Sequence, residues 1–314
     1  MEAHDLSIIV VSWNVRDLLR ACLKSVTKSL SSGRGQTLSC QVIVVDNDSN
    51  DGSVEMLKEA FPEIHVIAND RNLGFTKGNN QGLALSDARY VLLLNPDTEV
   101  VGDALGEMVA YMDDHPTAGA LGPQLLYPDG QVQSSRRRFP DLRTAYVEST
   151  FLQSWFAQSG TLERYYVLDR SDDETQAVDW LVGACLLIRR ETLEEVGSLD
   201  ESYFMYSEEL DWCYRAKKRG WEVVYLPTAQ AIHHVGKSSE QVLPVQHIQF
   251  QRSKVLFFKK HHGRLKGEML RFFLLASYLW QMIVEGLKWL VGHKRPLRRQ
   301  RVAAYWQVLR SGLR

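Results

Sequence analysis

Cysteine is scarce in this 314-residue chain: Cys22, Cys40, Cys185 and Cys213 are the only four, and no two stand in C-x-x-C spacing. Neither a zinc site nor a disulfide framework is indicated, and a reducing cytoplasm is the plain reading. Glycine-rich phosphate loops are missing as well. Neither G-x-G-x-x-G nor G-x-x-x-x-G-K-[ST] occurs, which argues against a dinucleotide enzyme and a P-loop NTPase. The N-terminus, MEAHDLSIIVVSW, enters its first apolar run without a basic region, so it does not read as a signal peptide. Internal repeats and low-complexity stretches are also absent.

What is present fits a folded chain. Hydrophobic residues make up 45% and charged residues 24%, and the length suffices for one large α/β domain plus an appendage. The net charge of −1 averages two unlike parts. From Arg252 onward fifteen Lys and Arg face only Glu268 and Glu285, giving +13 and leaving −14 for the remainder. A basic tail on an acidic body points to an anionic partner, lipid or nucleic acid.

Short runs rich in Val, Ile and Leu recur at Ile8–Val11, Val42–Val45, Ile64–Ile67 and Tyr90–Leu94, as buried parallel strands do. Helical patterns lie between them. Leu18, Leu19, Cys22, Leu23, Val26 and Leu30 share one face, with Asn14 as the expected cap and Asp17 in the first turn. Ser53 is the expected cap of a second helix that runs to Phe61. Strands alternating with helices predict a doubly wound sheet.

Such sheets bind ligands at the carboxyl ends of their strands. Here the ends read Ser12-Trp13-Asn14, Asp46 through Asp51, Asn69 through Asn72, and Asn95-Pro96-Asp97. Turn chemistry explains any one of these; four in succession predict a shared polar crevice. Further on, Tyr127–Gln131 reads as a hairpin tip. Residues 141–178 carry no clear pattern and are read as a mobile acceptor-side segment. Val182–Ile188, Glu222–Leu226 and Ala229–Ile232 read as strands, and Ser207–Lys218 as a helix ended by Gly220.

In the tail, Phe272–Val284 is uncharged over 13 residues, too short to span a bilayer alone. With Arg271, Glu285 and Lys288 at its flanks it reads as an interfacial helix, and Lys294 through Arg301 as a cluster suited to anionic headgroups. A domain-packing or homodimer helix is the alternative.

Asp97, just after a buried strand, is placed to hold a divalent cation that neutralises a diphosphate. Asp46 and Asp51 flank a polar loop where a carboxylate accepts a hydrogen bond from a nucleotide base. On the Ser207–Lys218 helix, Glu208 and Asp211 share a face and Arg215 pairs with Asp211, while Glu209 points elsewhere as a general base for an acceptor hydroxyl. His233 and His234, at a strand end, are metal or second-sphere candidates.

LSIIVVSWN, VIVVDNDSNDGS, NDRNLGFTKGNNQGL, YVLLLNPDT, VDWLVGACLLIRRETLEEVGSLDE, YFMYSEELDWCYRAKKRGWEVVYLP and AIHHVGKSS occur in this order. The ordered set resembles the family 2 glycosyltransferases of GT-A fold, a Rossmann-like nucleotide-diphospho-sugar transferase domain, and their bacterial rhamnosyltransferase-like branch above all. It spans about residues 6–240. The resemblance implies inverting transfer with Mg²⁺ or Mn²⁺. It implies Asp97 as the last acid of the D-x-D-type metal motif and Asp46 in the nucleotide-base site, with Asn47 or Asp48 as alternatives. Asn72, Gly74, Phe75 and Asn79 would lie beside nucleotide and sugar, and Ser12, Asn14, Asp51 and Asn95 complete the donor set. Glu209 would be the base, with Glu208 and Asp211 beside it, and His233 or His234 the histidine on metal and diphosphate. Two departures stand out: Asn95 replaces the first Asp of the metal motif, and the base is Glu rather than Asp.

The expected product is therefore a catalytic domain over 1–245 and a basic, amphipathic, membrane-associating tail over 246–314. The domain moves a sugar, rhamnose from dTDP-rhamnose, onto a lipid-linked or cell-surface saccharide at the cytoplasmic face of the inner membrane. A nucleotide-sugar-forming nucleotidyltransferase would need a Gly-rich loop where Ser12-Trp13-Asn14 stands. A noncatalytic glycan- or membrane-binding scaffold would not need Asp97, Glu209 and a histidine together. Nucleic acid is not expected, since only the tail suits it.

Overall fold

The computed structural model describes residues 4–31, 38–156, 159–234, 243–292 and 294–314. Residues 235–239, the end of the AIHHVGKSS segment, lie outside the described residues. Strand β1 (Leu6–Ser12) is followed by α1 (Arg16–Ser31), β2 (Cys40–Asp46), α2 (Ser53–Ala60), β3 (His65–Ala68), α3 (Phe75–Leu85) and β4 (Tyr90–Leu94). Then come β5 (Thr98–Val101), α4 (Ala104–Asp114), β6 (Ala118–Leu126), β7 (Val132–Gln133), β8 (Arg136–Arg137), α5 (Leu142–Val147) and α6 (Gly160–Tyr165). The remainder is β9 (Gln176–Val178), β10 (Trp180–Leu181), β11 (Cys185–Arg189), α7 (Arg190–Val196), α8 (Glu208–Lys218), β12 (Glu222–His233), α9 (Leu243–His262), α10 (Arg264–Leu290) and α11 (Arg295–Ser311).

These elements fall into two compact units. The first spans residues 1–139, 166–204 and 208–238 and carries a sheet of order β3-β2-β1-β4-β11-β6-β12-β5, with β7 beside β6 and β9 beside β12. Strands β1 to β4 are parallel, as their unbroken apolar runs predict. Strands β11 and β5 are antiparallel to their neighbours, so the sheet is mixed.

Period-two alternation splits β1 between two cores. Leu6, Ile8 and Val10 join Leu19, Cys22, Leu23 and Met108 on one face, and Val11 joins Ile43, Val45 and Phe75 on the other. Helix α3 lies close on the second face because Gly78 and Gly82 have no side chains. A Cβ on Gly82 would sit 2.5 Å from Ile9 Cγ2, and one on Gly78 2.8 Å from Val11 Cγ1.

Three local expectations are corrected. Asn14 does not cap α1: it adopts a left-handed φ of 53°, and its Oδ1 accepts the Asn50 N–H at 2.8 Å. Asp51 Oδ2 accepts the Arg16 N–H at 2.8 Å instead, so the loop after β2 caps the helix after β1. Ser53 is the first residue of α2 rather than its cap, which is Gly52 at φ 82°. The two strands foreseen around Pro227 are one strand, β12. Its ladder with β6 shifts register between Leu226 and Gln230, so Pro227, which has no N–H to donate, falls in the interruption.

The second unit holds residues 140–165, 205–207 and 239–314. Helices α9, α10 and α11 pack on one another around Phe257, Phe258, Leu270, Leu274, Tyr278 and Val308. Glu285 of α10 is buried against Arg298 of α11 at 2.7 Å. Arg271 pairs with Glu268 at 2.8 Å and donates to the Gly312 carbonyl at 2.6 Å. The uncharged run Phe272–Val284 sits inside a 27-residue helix that is, by length and composition, long and apolar enough to cross a membrane. Residues 141–178 read as patternless because their elements are short: α5 has six residues, a single 3-10 turn four, α6 six and β9 three.

Candidate active site

The site begins with register. Ser12 stands opposite Asp46, Asp46 opposite Ala68, and Val10 opposite Leu94, so all four parallel strands end along one edge. At that edge the polar loops bind each other. The Ser49 N–H donates to Asp46 Oδ1 at 2.9 Å, and the Asn14 N–H to Ser49 Oγ at 2.8 Å. Asn47 donates to the Gly74 carbonyl at 3.2 Å and accepts from Asn69 at 2.9 Å. Its amide is thus committed to structure, as is Asp51, whose Oδ1 also accepts the Ser53 hydroxyl at 2.6 Å. Asp48 is exposed, at φ 66°. Two buried atoms here have no hydrogen-bond partner, Ser12 Oγ and Asp46 Oδ2. Because an unmade buried bond costs about 1–3 kcal/mol, they mark where ligand donors are wanted.

Gly74 faces Phe204: a Cβ there would lie 2.6 Å from the Phe204 carbonyl oxygen, which accepts the Phe75 N–H at 2.9 Å. The exposed Asn72 takes the Gly74 N–H at 2.9 Å. Asn79 is buried and bonds the Phe75 carbonyl of its own helix at 2.9 Å, so its amide braces α3.

The second cluster forms around Asn95-Pro96-Asp97. The Asn95 N–H donates to the Ala184 carbonyl at 2.9 Å, tying the end of β4 to the start of β11, while Asn95 Oδ1 is buried without a partner. On the other side His233 pairs with Thr98 in the ladder, and the His234 N–H donates to the Asp97 carbonyl at 2.9 Å. His233 Nε2 lies 3.5 Å from Asp97 Oδ1, both side chains buried. His234 turns instead to Glu99, at 2.8 Å. Of the two histidines, His233 is therefore the one that shares Asp97's position. Among the described residues no three His, Cys, Asp or Glu side chains gather as a metal set. The Asp97–His233 pair nevertheless suits Mg²⁺ or Mn²⁺ bound together with substrate phosphate, which needs only one or two protein ligands.

Helix α8 supplies the acids. Ser207, at φ 65°, precedes it. Asp211 is fully buried, paired with Arg215 at 2.8 Å, and receives the Tyr203 hydroxyl at 3.4 Å. It stiffens the helix. Glu208 is buried with Oε2 unpartnered, and burial, then the neighbouring Glu209 charge, pushes its pKa well up. Glu209 packs on Gly183, where a Cβ would meet its Cβ and Cγ at 3.4 Å. Gly183 precedes Ala184, whose carbonyl holds Asn95, so the carboxylate and the Asn95–Asp97 loop meet the same two-residue step. Burial pushes Cys185 to about 12 and raises Cys22 likewise, which removes both thiols as nucleophiles.

Sequence reasoning missed Gly183, Glu99 and Gln133. Small residues ahead of a strand could have flagged Gly183; nothing local flags the other two.

The description Glycosyl transferase family 2 matches residues 7–197. The chain belongs to this family. It is similar to the N-acetylglucosaminyl-diphospho-decaprenol L-rhamnosyltransferase of Mycobacterium tuberculosis, with 30% identity over 284 residues, 87% of this chain and 90% of that one. It is 23% identical to the dTDP-rhamnosyl transferase RfbF of Shigella flexneri over 71% of this chain and 72% of RfbF. In fold it matches the mannosyltransferase PcManGT of Pyrobaculum calidifontis, solved in complex with GDP-Man and Mn2+, at TM-score 0.56 and 16% identity over 100% of this chain and 88% of that one. The protein is thus a GT-A glycosyltransferase of the rhamnosyltransferase-like branch, and the doubly wound expectation holds.

Proposed function

We propose that this enzyme transfers L-rhamnose from dTDP-rhamnose, with inversion, to a hydroxyl of a polyprenyl-linked saccharide. The supporting observation is the convergence of Asp97, His233 and Glu209 around the Ala184–Asn95 hydrogen bond. The two named relatives, a rhamnosyltransferase with a diphospho-decaprenol acceptor and a dTDP-rhamnosyl transferase, supply the sugar and lipid.

In this reading Asp46 and Ser12 meet the nucleoside, and Gly74 lets the start of α3 close on Phe204 beside it. Asp97 and His233 would hold a divalent cation, which when bound would supply positive charge against the diphosphate leaving group. Glu209 takes the proton from the acceptor hydroxyl, and its oxygen forms the new bond to C1 from the opposite face. The leaving dTDP keeps the electron pair. Burial, and then the neighbouring Glu209 charge, raises the Glu208 pKa, so Glu209 rather than Glu208 is assigned the base role. Asp211 positions both through Arg215.

Residues 246–314 are proposed to hold the enzyme peripherally at the cytoplasmic face of the inner membrane, with 1–245 carrying the chemistry. Supporting this, α10 exposes an apolar stripe, Leu265, Met269, Phe272, Leu279, Trp280, Ile283, Leu287 and Leu290, at helical spacing. Lys294, Arg295, Arg299 and Arg301 are exposed beyond it, as an interfacial helix on anionic lipid requires.

Calorimetric titration with dTDP, UDP and GDP, each with Mn²⁺ and then with EDTA, tests the site. Metal-dependent binding that prefers dTDP is expected. Preference for UDP or GDP would overturn the donor, and no binding at all would overturn the catalytic reading.

A further inference from the structure

Gln133 lies on β7, a strand of two residues that exists only as the return arm of a hairpin. The turn closes through the Tyr127 N–H to the Gln131 carbonyl at 2.8 Å and the Gly130 N–H to the Tyr127 carbonyl at 2.9 Å. Gly130 adopts φ 83°. In the sheet Leu125 of β6 pairs with Gln133 on one side and with Ala231 of β12 on the other. Gln133 therefore reaches the end of β12 across β6. Its side chain is buried, and Oε1 stands 2.8 Å from His233 Nδ1.

A carboxamide oxygen only accepts, so Nδ1 must carry the ring proton. A neutral imidazole then has its lone pair on Nε2, the atom 3.5 Å from Asp97 Oδ1. That separation is too long for a good N–H···O bond, and it sets two electron-rich atoms side by side. Two lone pairs facing each other, with no proton between them, call for a positive charge between or beside them. Metal-binding histidines generally give their other ring N–H to such an acceptor, which fixes tautomer and ring orientation.

We propose that Gln133 is a positioning residue that fixes the tautomer of His233, so that Nε2 presents its lone pair beside Asp97 to a divalent cation. This rests on the cation-dependent transfer proposed above. Gln133 touches neither sugar nor diphosphate in this role; it acts through the imidazole.

The tautomer is read without metal, by ¹⁵N NMR of imidazole-labelled wild-type protein at a pH where the ring is neutral. A protonated, pyrrole-like Nδ1 and a pyridine-like Nε2 are expected for His233. The reverse assignment would mean that Nε2–H serves Asp97 and would overturn the proposal, whatever any variant does. Mn²⁺ titration in the presence of dTDP then compares Gln133→Leu with Gln133→Glu. Leu, of similar size but without an acceptor, should weaken Mn²⁺ binding by roughly 10–100-fold, while Glu, which keeps the acceptor oxygen, retains most of it. Equal Mn²⁺ affinity in a folded Leu variant and the wild type would assign Gln133 to packing alone. Wild-type protein that binds no Mn²⁺ with any nucleotide would overturn the cation reading, and this proposal with it.

Discussion

Arg215 closes on Asp211 from one helical turn away, Nε to Oδ2 at 2.8 Å, over a carboxylate with no solvent exposure. The guanidinium also donates to the Val196 and Ser198 carbonyls at 2.7 and 2.8 Å, so the pair fastens α8 to the end of α7. Removing one member leaves a buried charge uncompensated, at a cost of about 3–5 kcal/mol. Arg215→Leu, which leaves the buried Asp211 unpaired, is therefore expected to lower thermal stability and turnover together, in a melting experiment paired with a transfer assay.

Glu209→Gln should separate those two quantities. It keeps the packing on Gly183 and removes the proposed base, so transfer is expected to fall by roughly 100- to 10,000-fold while the melting temperature and dTDP affinity stay near wild type. Loss of dTDP binding would move Glu209 from the acceptor side to the nucleotide side.

Asp97→Asn should abolish the Mn²⁺-dependent part of dTDP binding and leave the affinity in EDTA unchanged. The loss should be at least as large as the roughly 10–100-fold that supporting residues of metal ligands contribute. Calorimetry with and without EDTA reads both parts.

Glu208 gives a pH dependence of definite sign. Its folded pKa is raised above the ordinary 4.5 by burial and then by Glu209. The folded state thus holds a proton that the unfolded chain gives up. Its stabilising contribution is complete below the unfolded value and is lost as pH rises through the raised folded value. Glu208→Gln should flatten stability against pH over that window, as chemical denaturation at several pH values measures. A variant whose profile parallels the wild type would show that Glu208 is ionised in the fold.

For the tail, Trp280→Glu and deletion of residues 265–314 should each shift the protein from the membrane to the soluble fraction. Loss of an exposed base such as Arg299 should weaken binding to anionic vesicles by about 1 kcal/mol. Unchanged partition with a change in oligomeric state would assign the stripe to a homodimer.

The legible parts of the fold were those with local causes. The Val- and Ile-rich strands β1, β2 and β4 announce themselves because burial on both faces leaves no polar alternation. The Asp211–Arg215 pair follows from helical spacing alone. The illegible parts depend on partners distant in sequence. Asn14 reads as a cap, but the loop after β2 takes its side chain and supplies Asp51 in its place. Pro227 reads as a strand end, but a register shift against β6 absorbs it. Gln133 and Glu99 carry no signal because their neighbours, His233 and His234, arrive from 100 and 135 residues away.

Strands β4 and β11 run antiparallel, so the end of one and the start of the other meet at the Asn95–Ala184 backbone bond. The loop bearing Asp97 and the floor beneath Glu209 are therefore spaced by peptide geometry, which side-chain replacement leaves alone. Under the proposed mechanism, residues that choose the sugar or the acceptor can be exchanged by design while the relation between departing and arriving oxygen is retained. Substrate choice and stereochemical outcome would then be set by separate parts of the frame.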